Sequence, residues 1–140
     1  MSRLMQGIDI VDIRKFRKVM ERHPSFVDEI FTKSERDYCL AKMDPAPHLA
    51  ARFAAKESYL KAIGAGFSAE GIDSIFGQIE VVHEKSGKPA ISLSGWAAKN
   101  ASRRRIAQTT LSLSHAADYA MASVVLVIEA EAEHLSNTMN

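Results

Sequence analysis

The feature of this sequence that most constrains the fold is an alanine-rich helix, LAARFAAKESYLKAI, which spans residues 49–63. At about 100° per residue its large apolar side chains form one stripe, and small side chains cover much of the remaining surface. The stripe consists of Leu49, Phe53, Leu60 and Ile63. Small side chains nearly all round predict close packing by neighbouring elements instead of a free solvent face. Gly64 and Gly66 are natural stops after the helix.

The segments before this helix predict one strand and three shorter helices. Residues 4–13, LMQGIDIVDI, are rich in Ile and Val, which is typical of a strand. Apolar residues at helical spacing predict a helix over residues 12–22, and SFVDEIF indicates another short one. Thr32 and Glu35 have the spacing of a capping box at the start of TKSERDYCLAK. The two prolines of MDPAPH predict a break before the alanine-rich helix.

The second half of the chain is richer in strands. After a glycine-containing loop, GQIEVVHE and AISLS predict two strands joined by the turn KSGKP. GWAAKNASRRR predicts a helix, and AQTTLSLSH and YAMASVVLVIE predict two more strands. This order of strands and helices predicts a single α+β domain. We expect that domain to cover residues 1–130 and residues 131–140 to form a polar, frayed C-terminal tail.

Composition and charge narrow the classes of function. The 140 residues are 46% hydrophobic and 25% charged, as in an ordinary globular domain. A net charge of +1 argues against a global field that would attract nucleic acid or a membrane. Cys39 is the only cysteine, which excludes an intrachain disulfide and fits a reducing compartment. We see no signal-peptide pattern and no apolar run of about 18 residues, so the sequence predicts a cytoplasmic protein.

Charged residues occupy positions where the strand and the helix predict apolar ones. In GIDIVDI, Asp9 shares a strand face with Gly7 and Val11 and is flanked by isoleucines. We therefore expect Asp9 to be at least half buried. A buried carboxylate needs a cation or several hydrogen-bond donors. A salt bridge from Lys56 or Arg52 would meet that need.

A divalent metal held by Asp9 and Glu57 would meet it as well. Mg²⁺ commonly takes one or two carboxylates and leaves its other positions to water and phosphate oxygens. Lys61 lies one helical turn beyond Glu57, and the three residues together would suit a pyrophosphate. The alternative is an exposed ion pair between Glu57 and Lys61, with Lys56 extending along the core to solvent.

Several short segments resemble those of a known family. They are, in chain order, GIDIVDI, IFTKSE, RFAAKESYLKAIG, GKP and SLSH. Over residues 6–129 the chain resembles the holo-[acyl-carrier-protein] synthase family of small 4'-phosphopantetheinyl transferases. The resemblance implies a 4'-phosphopantetheinyl transferase-like α+β domain with an antiparallel sheet and packed helices. It also implies Mg²⁺-dependent transfer of the phosphopantetheine arm of coenzyme A to a serine of apo acyl carrier protein, with release of 3',5'-ADP, in fatty-acid biosynthesis and lipid metabolism.

The same resemblance assigns roles to individual residues. Asp9 and Glu57 match the metal-binding carboxylates, and Lys61 matches the phosphate-contacting lysine; these three are the implied catalytic set. His115, in SLSH, is expected near the nucleotide. The loop expected beside the coenzyme matches Gly87, Lys88 and Pro89. Family members are typically homotrimers with coenzyme sites at the subunit interfaces.

Two groups of basic residues stand apart from this set. The helix over residues 12–22 carries a basic face formed by Arg14, Lys15, Lys18 and Arg22. It is either a solvated surface or the surface that steers an acidic acyl carrier protein, the partner that the family implies. The run Arg103–Arg105 indicates a solvated helix end, where cations favour the helix dipole, or a contact with phosphate or a partner.

Other interpretations stay open at this point. The chain could be a non-catalytic module of the same fold that binds coenzyme A or a nucleotide, although the intact set of Asp9, Glu57 and Lys61 argues against it. It could be a small nucleic-acid binder, but its near-zero net charge and the lack of an aromatic stacking motif argue against that. The base that takes the serine proton is either Glu57 or a metal-bound water oriented by Asp9. The preferred carrier, from fatty-acid, polyketide or other synthesis, is not determined by the sequence.

Overall fold

The computed structural model describes residues 1–65 and 75–130, which form five helices, a short 3₁₀ helix and five strands. The strands are β1 (Arg3–Asp12), β2 (Ile79–His83), β3 (Pro89–Leu93), β4 (Ile106–Ala116) and β5 (Tyr119–Ile128). The helices are α1 (Ile13–Arg22), α2 (Ser25–Ile30), α3 (Lys33–Leu40), α4 (Pro45–Ile63) and α5 (Gly95–Arg103). The 3₁₀ helix covers Phe76–Gln78. The predicted α+β class is confirmed.

The strands form two antiparallel sheets. The larger sheet has the order β1-β5-β4, so the N-terminal strand pairs with the last strand of the described chain. In its register Asp9 lies opposite Ala122, which lies opposite Leu113 on β4. The smaller sheet is the hairpin of β2 and β3. Non-local pairing of β1 with β5 closes the domain around the helices.

Helix α4 lies against the inner face of the larger sheet, and one glycine sets how closely it approaches. A Cβ atom on Gly7 would lie only 1.9 Å from the backbone oxygen of Ser58, so this position on β1 accepts glycine alone without moving the helix. The Ser58 hydroxyl donates a hydrogen bond to the backbone oxygen of Ala122, at 3.0 Å, which joins α4 to β5 as well. The alanine-rich surface of the helix is buried by these contacts, as the sequence predicts.

The predicted start of α4 is wrong by one turn. We expected a break at Pro45 and Pro47, whereas the helix begins at Pro45. Proline is tolerated in the first helical turn because the N–H that it lacks would have no partner inside the helix. The end of the helix agrees with the prediction, since Gly64 takes the left-handed conformation with φ of 74°. Gly66, the glycine-containing loop and the tail of residues 131–140 lie outside the described residues.

Strand β1 presents two different faces. Gly7, Asp9 and Val11 point towards α4, whereas Ile8 and Ile10 are 54% and 58% exposed. The alternation agrees with the prediction, but the flanking isoleucines do not bury Asp9; helix α4 does. On its outer face the larger sheet therefore exposes several large apolar side chains in the described part of the chain.

The capping box predicted for α3 is present. The Thr32 hydroxyl accepts from the backbone N–H of Glu35, and the Glu35 carboxylate accepts from the backbone N–H of Thr32. Among residues 1–65 and 75–130, no helix combines the length and apolar character that a membrane span needs.

Candidate functional site

Asp9 and Lys61 form an ion pair where β1 meets α4. Lys61 Nζ lies 2.8 Å from Asp9 Oδ1 and donates a second hydrogen bond to the backbone oxygen of Ile8, at 3.1 Å. The Asp9 side chain is only 12% exposed, whereas that of Lys61 is 53% exposed. The ammonium is thus anchored on one side and open to a ligand on the other.

Glu57 lies one helical turn before Lys61 and is half buried. Burial, together with the negative charge of Asp9, raises the pKa of the Glu57 carboxyl to about 6, and Lys61 opposes the shift. Two carboxylates that repel each other in a partly buried site are stabilised by a bound cation. This arrangement favours a cation-binding role for the pair.

Asp9 and Glu57 line one cleft of about 380 Å³ between β1, α1, α2 and α4. Its polar side also carries Asp12 and Lys15. Its apolar wall is formed by Phe16, Val19, Phe26 and Phe53, with Val11 of β1. The cleft therefore joins charged groups that suit phosphate chemistry to an apolar surface that suits an alkyl chain or a partner's side chain.

The apolar wall of the cleft is not predicted from the sequence as part of the site. Phe53 and Phe26 stack edge to face, with ring centroids 5.8 Å apart. The available signal was the spacing of four between Phe53 and Glu57, which places them on one side of the helix. The apolar stripe of the helix predicts Phe53 only as a core residue.

The predicted partners of the buried charges need correction. Asp9 pairs with neither Lys56 nor Arg52, because Lys61 reaches it from the next turn of the helix. Lys56 does not extend to solvent: it is fully buried and pairs with Glu35, at 2.7 Å. The alternative of a Glu57–Lys61 ion pair is also wrong, because Lys61 forms its ion pair with Asp9.

Arg52 belongs to a second polar cluster, nearer the start of α4. Its Nη1 donates to the backbone oxygen of His48, at 3.1 Å, and its Nη2 lies 3.3 Å from His83 Nε2. The guanidinium also stacks on the Tyr38 ring, 4.5 Å from its centroid. Burial and the charge of Arg52 lower the pKa of both His48 and His83.

His115 lies beside this second cluster and not beside the carboxylates. Its ring centroid is 6.2 Å from that of His48. His48 precedes Glu57 by nine residues, or about 13 Å along the helix axis. A ligand touching both His115 and Glu57 would therefore extend along the side of α4.

Gly87 and Lys88 lie in the turn of the β2–β3 hairpin, and Pro89 begins β3. Gly87 has φ of 87°, a left-handed value that glycine adopts readily. Within the described chain these residues do not line the cleft that contains Asp9 and Glu57. The structure thus brings together Asp9, Glu57 and Lys61 and leaves the hairpin apart from them.

The basic face of α1 adjoins the cleft. A groove of about 510 Å³ runs along this helix beside Arg14, Lys15, Lys18 and also Arg17. Lys15 and Asp12 line both the groove and the carboxylate cleft. Arg22 is exposed but does not line the groove. Arg17 is held by Asp44 through two hydrogen bonds, at 2.8 and 3.1 Å, whereas Arg14 lies 3.8 Å from Asp118.

The two carboxylates could hold a hard cation that prefers oxygen ligands, such as Mg²⁺. No cluster of three or more His, Cys, Asp or Glu side chains suited to a metal occurs among residues 1–65 and 75–130. Zinc and similar metals need such a cluster, whereas Mg²⁺ accepts two carboxylates with water and phosphate oxygens in its other positions. Asp9 and Glu57 meet that smaller requirement.

Comparison with known proteins gives a consistent result. Residues 5–124 match the family model of the 4'-phosphopantetheinyl transferase superfamily. The holo-[acyl-carrier-protein] synthase of Syntrophotalea carbinolica is 45% identical over 120 residues, which is 85% of this chain and 91% of that protein. The holo-[acyl-carrier-protein] synthase structure from Neisseria meningitidis superposes with a TM-score of 0.78 at 31% identity, over 87% of this chain and 96% of that one. The Chronobacterium ammoniagenes structure in complex with CoA gives 0.79 at 30% identity, over 91% and 99%.

Proposed function

The chain belongs to the 4'-phosphopantetheinyl transferase superfamily and is a phosphopantetheinyl transferase, and we propose that it moves the phosphopantetheine arm of coenzyme A to a serine of apo acyl carrier protein. The relative's name supports the carrier as acceptor, and the CoA complex supports coenzyme A as donor. The structural observation that carries the proposal is the convergence of Asp9, Glu57 and Lys61 beside one open cleft.

The reaction is a phosphoryl transfer. The serine oxygen forms a bond to the phosphorus that carries pantetheine, and the bond from that phosphorus to the bridging anhydride oxygen breaks. The leaving group is 3',5'-ADP, which takes the negative charge. Such a transfer depends on positioning and on charge neutralisation more than on covalent catalysis.

Asp9 and Glu57 are the residues that would hold Mg²⁺. When bound, the ion would act as a Lewis acid towards the pyrophosphate oxygens. Lys61 orients Asp9 by donating to its Oδ1 atom. The other carboxylate oxygen of Asp9 does not take part in that hydrogen bond. Glu57 reaches the same cleft from the helix, so the two elements hold the carboxylates in a fixed relation.

Lys61 would neutralise charge that develops on the phosphate oxygens. It is held in place by Asp9 and by the Ile8 oxygen, and half of its side chain is open to solvent. A cation that is positioned before the reaction costs little reorganisation when charge develops. Lys61 therefore combines a structural contact with a catalytic one.

Glu57 is our choice for the base that accepts the serine proton. Its carboxylate lines the same cleft as Asp9, where the acceptor serine would enter, and position is the first requirement of a general base. The second candidate is a metal-bound water oriented by Asp9, which lines the same cleft. A substitution at Glu57 would therefore affect ion binding and proton transfer together.

The acceptor and the assembly complete the proposal. The basic face of α1 adjoins the cleft through Lys15, so an acidic carrier docked on it would bring its serine to the carboxylates.

We also propose a homotrimer, in which the hairpin residues Gly87–Pro89 reach the coenzyme from a neighbouring subunit. The apolar outer face of the larger sheet supports such an assembly. A cytoplasmic location is part of the proposal, supported by the buried free thiol of Cys39.

A mass measurement separates this function from a binding module of the same fold. The protein is incubated with coenzyme A, Mg²⁺ and apo acyl carrier protein, and the intact mass of the carrier is followed. We expect a gain of one phosphopantetheine group, lost when EDTA replaces Mg²⁺. Binding of coenzyme A without any gain in carrier mass would identify a non-catalytic module.

A further inference from the structure

Four arginines surround a cleft at the opposite end of the larger sheet from the carboxylates. Arg3 begins β1, and Arg103, Arg104 and Arg105 form the connection from α5 to β4. The cleft has a volume of about 460 Å³. Arg3 precedes Asp9 by six strand residues, so the cleft lies roughly 20 Å from the candidate transfer site. The two sites are separate.

The positive charge of this cleft is not balanced within the described chain. None of the four guanidinium groups forms an ion pair among residues 1–65 and 75–130. Among residues 1–65 and 75–130, Glu129 is the only carboxylate that lines the cleft. Since the whole protein has a net charge of only +1, this is a local concentration of charge.

Two of the arginines have structural contacts that fix the cleft. Arg104 Nη1 donates to the backbone oxygen of Ile63, at 2.5 Å, at the C-terminal end of α4. A cation is favourable there because of the helix dipole. The Arg105 side chain reaches the backbone oxygen of Ala130 through Nη2, at 3.3 Å. Arg3 and Arg103 are exposed and make no such contact among the described residues.

Arg105 also has an unusual backbone. Its φ is 63°, in the left-handed region that favours glycine, and hydrogen bonds hold it there: its N–H donates to Ser102 and its oxygen accepts from Glu129, at 3.1 and 3.0 Å. Glycine would serve the turn with less strain. The Arg105 side chain is held at the edge of the cleft by its contact with Ala130.

We propose that this arginine cleft binds a diphosphate anion, the group carried by inorganic pyrophosphate or by a nucleoside diphosphate. Guanidinium groups bind phosphate oxygens in pairs of parallel hydrogen bonds, so the cluster has donors enough for two phosphates. The volume falls within the range of small-ligand pockets and exceeds that of a single ion. The site lies outside the transfer centre and does not depend on it.

An NMR titration of the ¹⁵N-labelled full chain tests the proposal. Sodium pyrophosphate is added at constant ionic strength in EDTA, and backbone amide shifts are followed. We expect saturable shifts at Arg104, Arg105 and Glu129. The double variant Arg3→Gln/Arg105→Gln should weaken binding about 10-fold or more. ADP as a second ligand tests the nucleotide source.

Two further variants make the result specific. The control Lys33→Gln/Lys85→Gln removes the same charge from exposed positions outside the cleft and should leave the affinity unchanged. Arg105→Gly keeps the turn and removes the side chain, so it should fold and bind more weakly. The proposal is overturned if the amide shifts do not saturate, or if they saturate only around Asp9 and Lys61. It is also overturned if the control variant weakens pyrophosphate binding as much as the arginine variant does. Binding of a single-stranded RNA without binding of pyrophosphate would overturn it as well.

Discussion

Lys56 occupies the apolar stripe of α4 because its ammonium is fully hydrogen-bonded inside the protein. It donates to Glu35 and to the backbone oxygens of Phe76 and Ile79, each at 2.7 Å. Glu35 in turn accepts from the backbone N–H of Val81, at 3.0 Å. The network joins α4 to α3 and to the start of β2. Burial lowers the pKa of Lys56, and Glu35 opposes that shift.

Removing one charge of this buried pair should be costly. We expect Lys56→Met to lower the free energy of unfolding by about 3–5 kcal/mol, since the Glu35 carboxylate would stay buried without its cation. Adding Glu35→Gln should recover part of the loss. Urea unfolding measures both variants. The exposed pair of Lys33 and Asp37 is the matched control, and Lys33→Met should cost less than about 0.5 kcal/mol. Equal costs at Lys33 and Lys56 would contradict this account.

The raised pKa of Glu57 predicts a stability that falls as pH rises. Folding favours the protonated carboxyl, so its contribution is present below the ordinary value of 4.5 and is lost as pH rises through about 6. In EDTA at pH 7.5 we expect Glu57→Gln to be more stable than the wild type by about 1 kcal/mol, a value discounted for solvent screening. Urea unfolding from pH 4 to 7.5 measures the gap, which should close at the acid end. If the difference in unfolding free energy between Glu57→Gln and the wild type does not change with pH, the pKa of Glu57 is not raised.

The partner of Asp9 illustrates why residue-scale geometry exceeds what the sequence can predict. Alternation along GIDIVDI correctly placed Asp9 on the inner face. Choosing among Arg52, Lys56 and Lys61 requires the direction of α4 relative to β1, which depends on the close approach at Gly7. Local spacing carries no information on that non-local contact.

At the scale of elements, the strands and helices were largely predictable because hydrophobic periodicity specifies them. The start of α4 was not, since Pro45 and Pro47 are helix breakers in most positions but are accepted in a first turn. The pairing of β1 with β5 could not be derived from local patterns, because it joins segments more than 100 residues apart.

Helix α1 gives a prediction at this scale. Reversing charge with Arg14→Glu and Lys18→Glu should raise the KM for the carrier and leave coenzyme A binding unchanged, because both residues line the groove along one side of the helix. The wild-type KM should rise with ionic strength, and the double variant should lose much of that dependence. Screening acts within about 10 Å at 0.1 M salt, so moderate salt suffices.

Lys33→Glu/Lys85→Glu provides the matched control, since those lysines are exposed and lie outside the groove. It should keep the wild-type KM and salt dependence. If the α1 variant does the same, the basic face is only a solvated surface and the carrier docks elsewhere.

At the scale of the whole molecule, the exposed apolar side chains on the outer face of the larger sheet predict self-association. Ile10 and Met121 are neighbours on β1 and β5 and are 58% and 38% exposed. We expect the wild type to scatter light as a trimer and Ile10→Glu/Met121→Lys as a monomer of 15.4 kDa, because the two charges can pair in the free subunit but lose water in an interface. Met43→Glu, at a fully exposed position, should remain trimeric. A fully active wild-type monomer would contradict the assembly.

The proposed function requires that Asp9, Glu57 and Lys61 form one transfer centre. Its most direct test is the single-turnover rate at which the intact mass of apo acyl carrier protein rises, with coenzyme A and Mg²⁺ in excess. Asp9→Ala and Glu57→Ala should abolish most of the rate, and Lys61→Ala should lower it by about 10²-fold or more, with the fold intact. Lys33→Ala should transfer at the wild-type rate. Near-normal transfer by Asp9→Ala, Glu57→Ala or Lys61→Ala would contradict the claim.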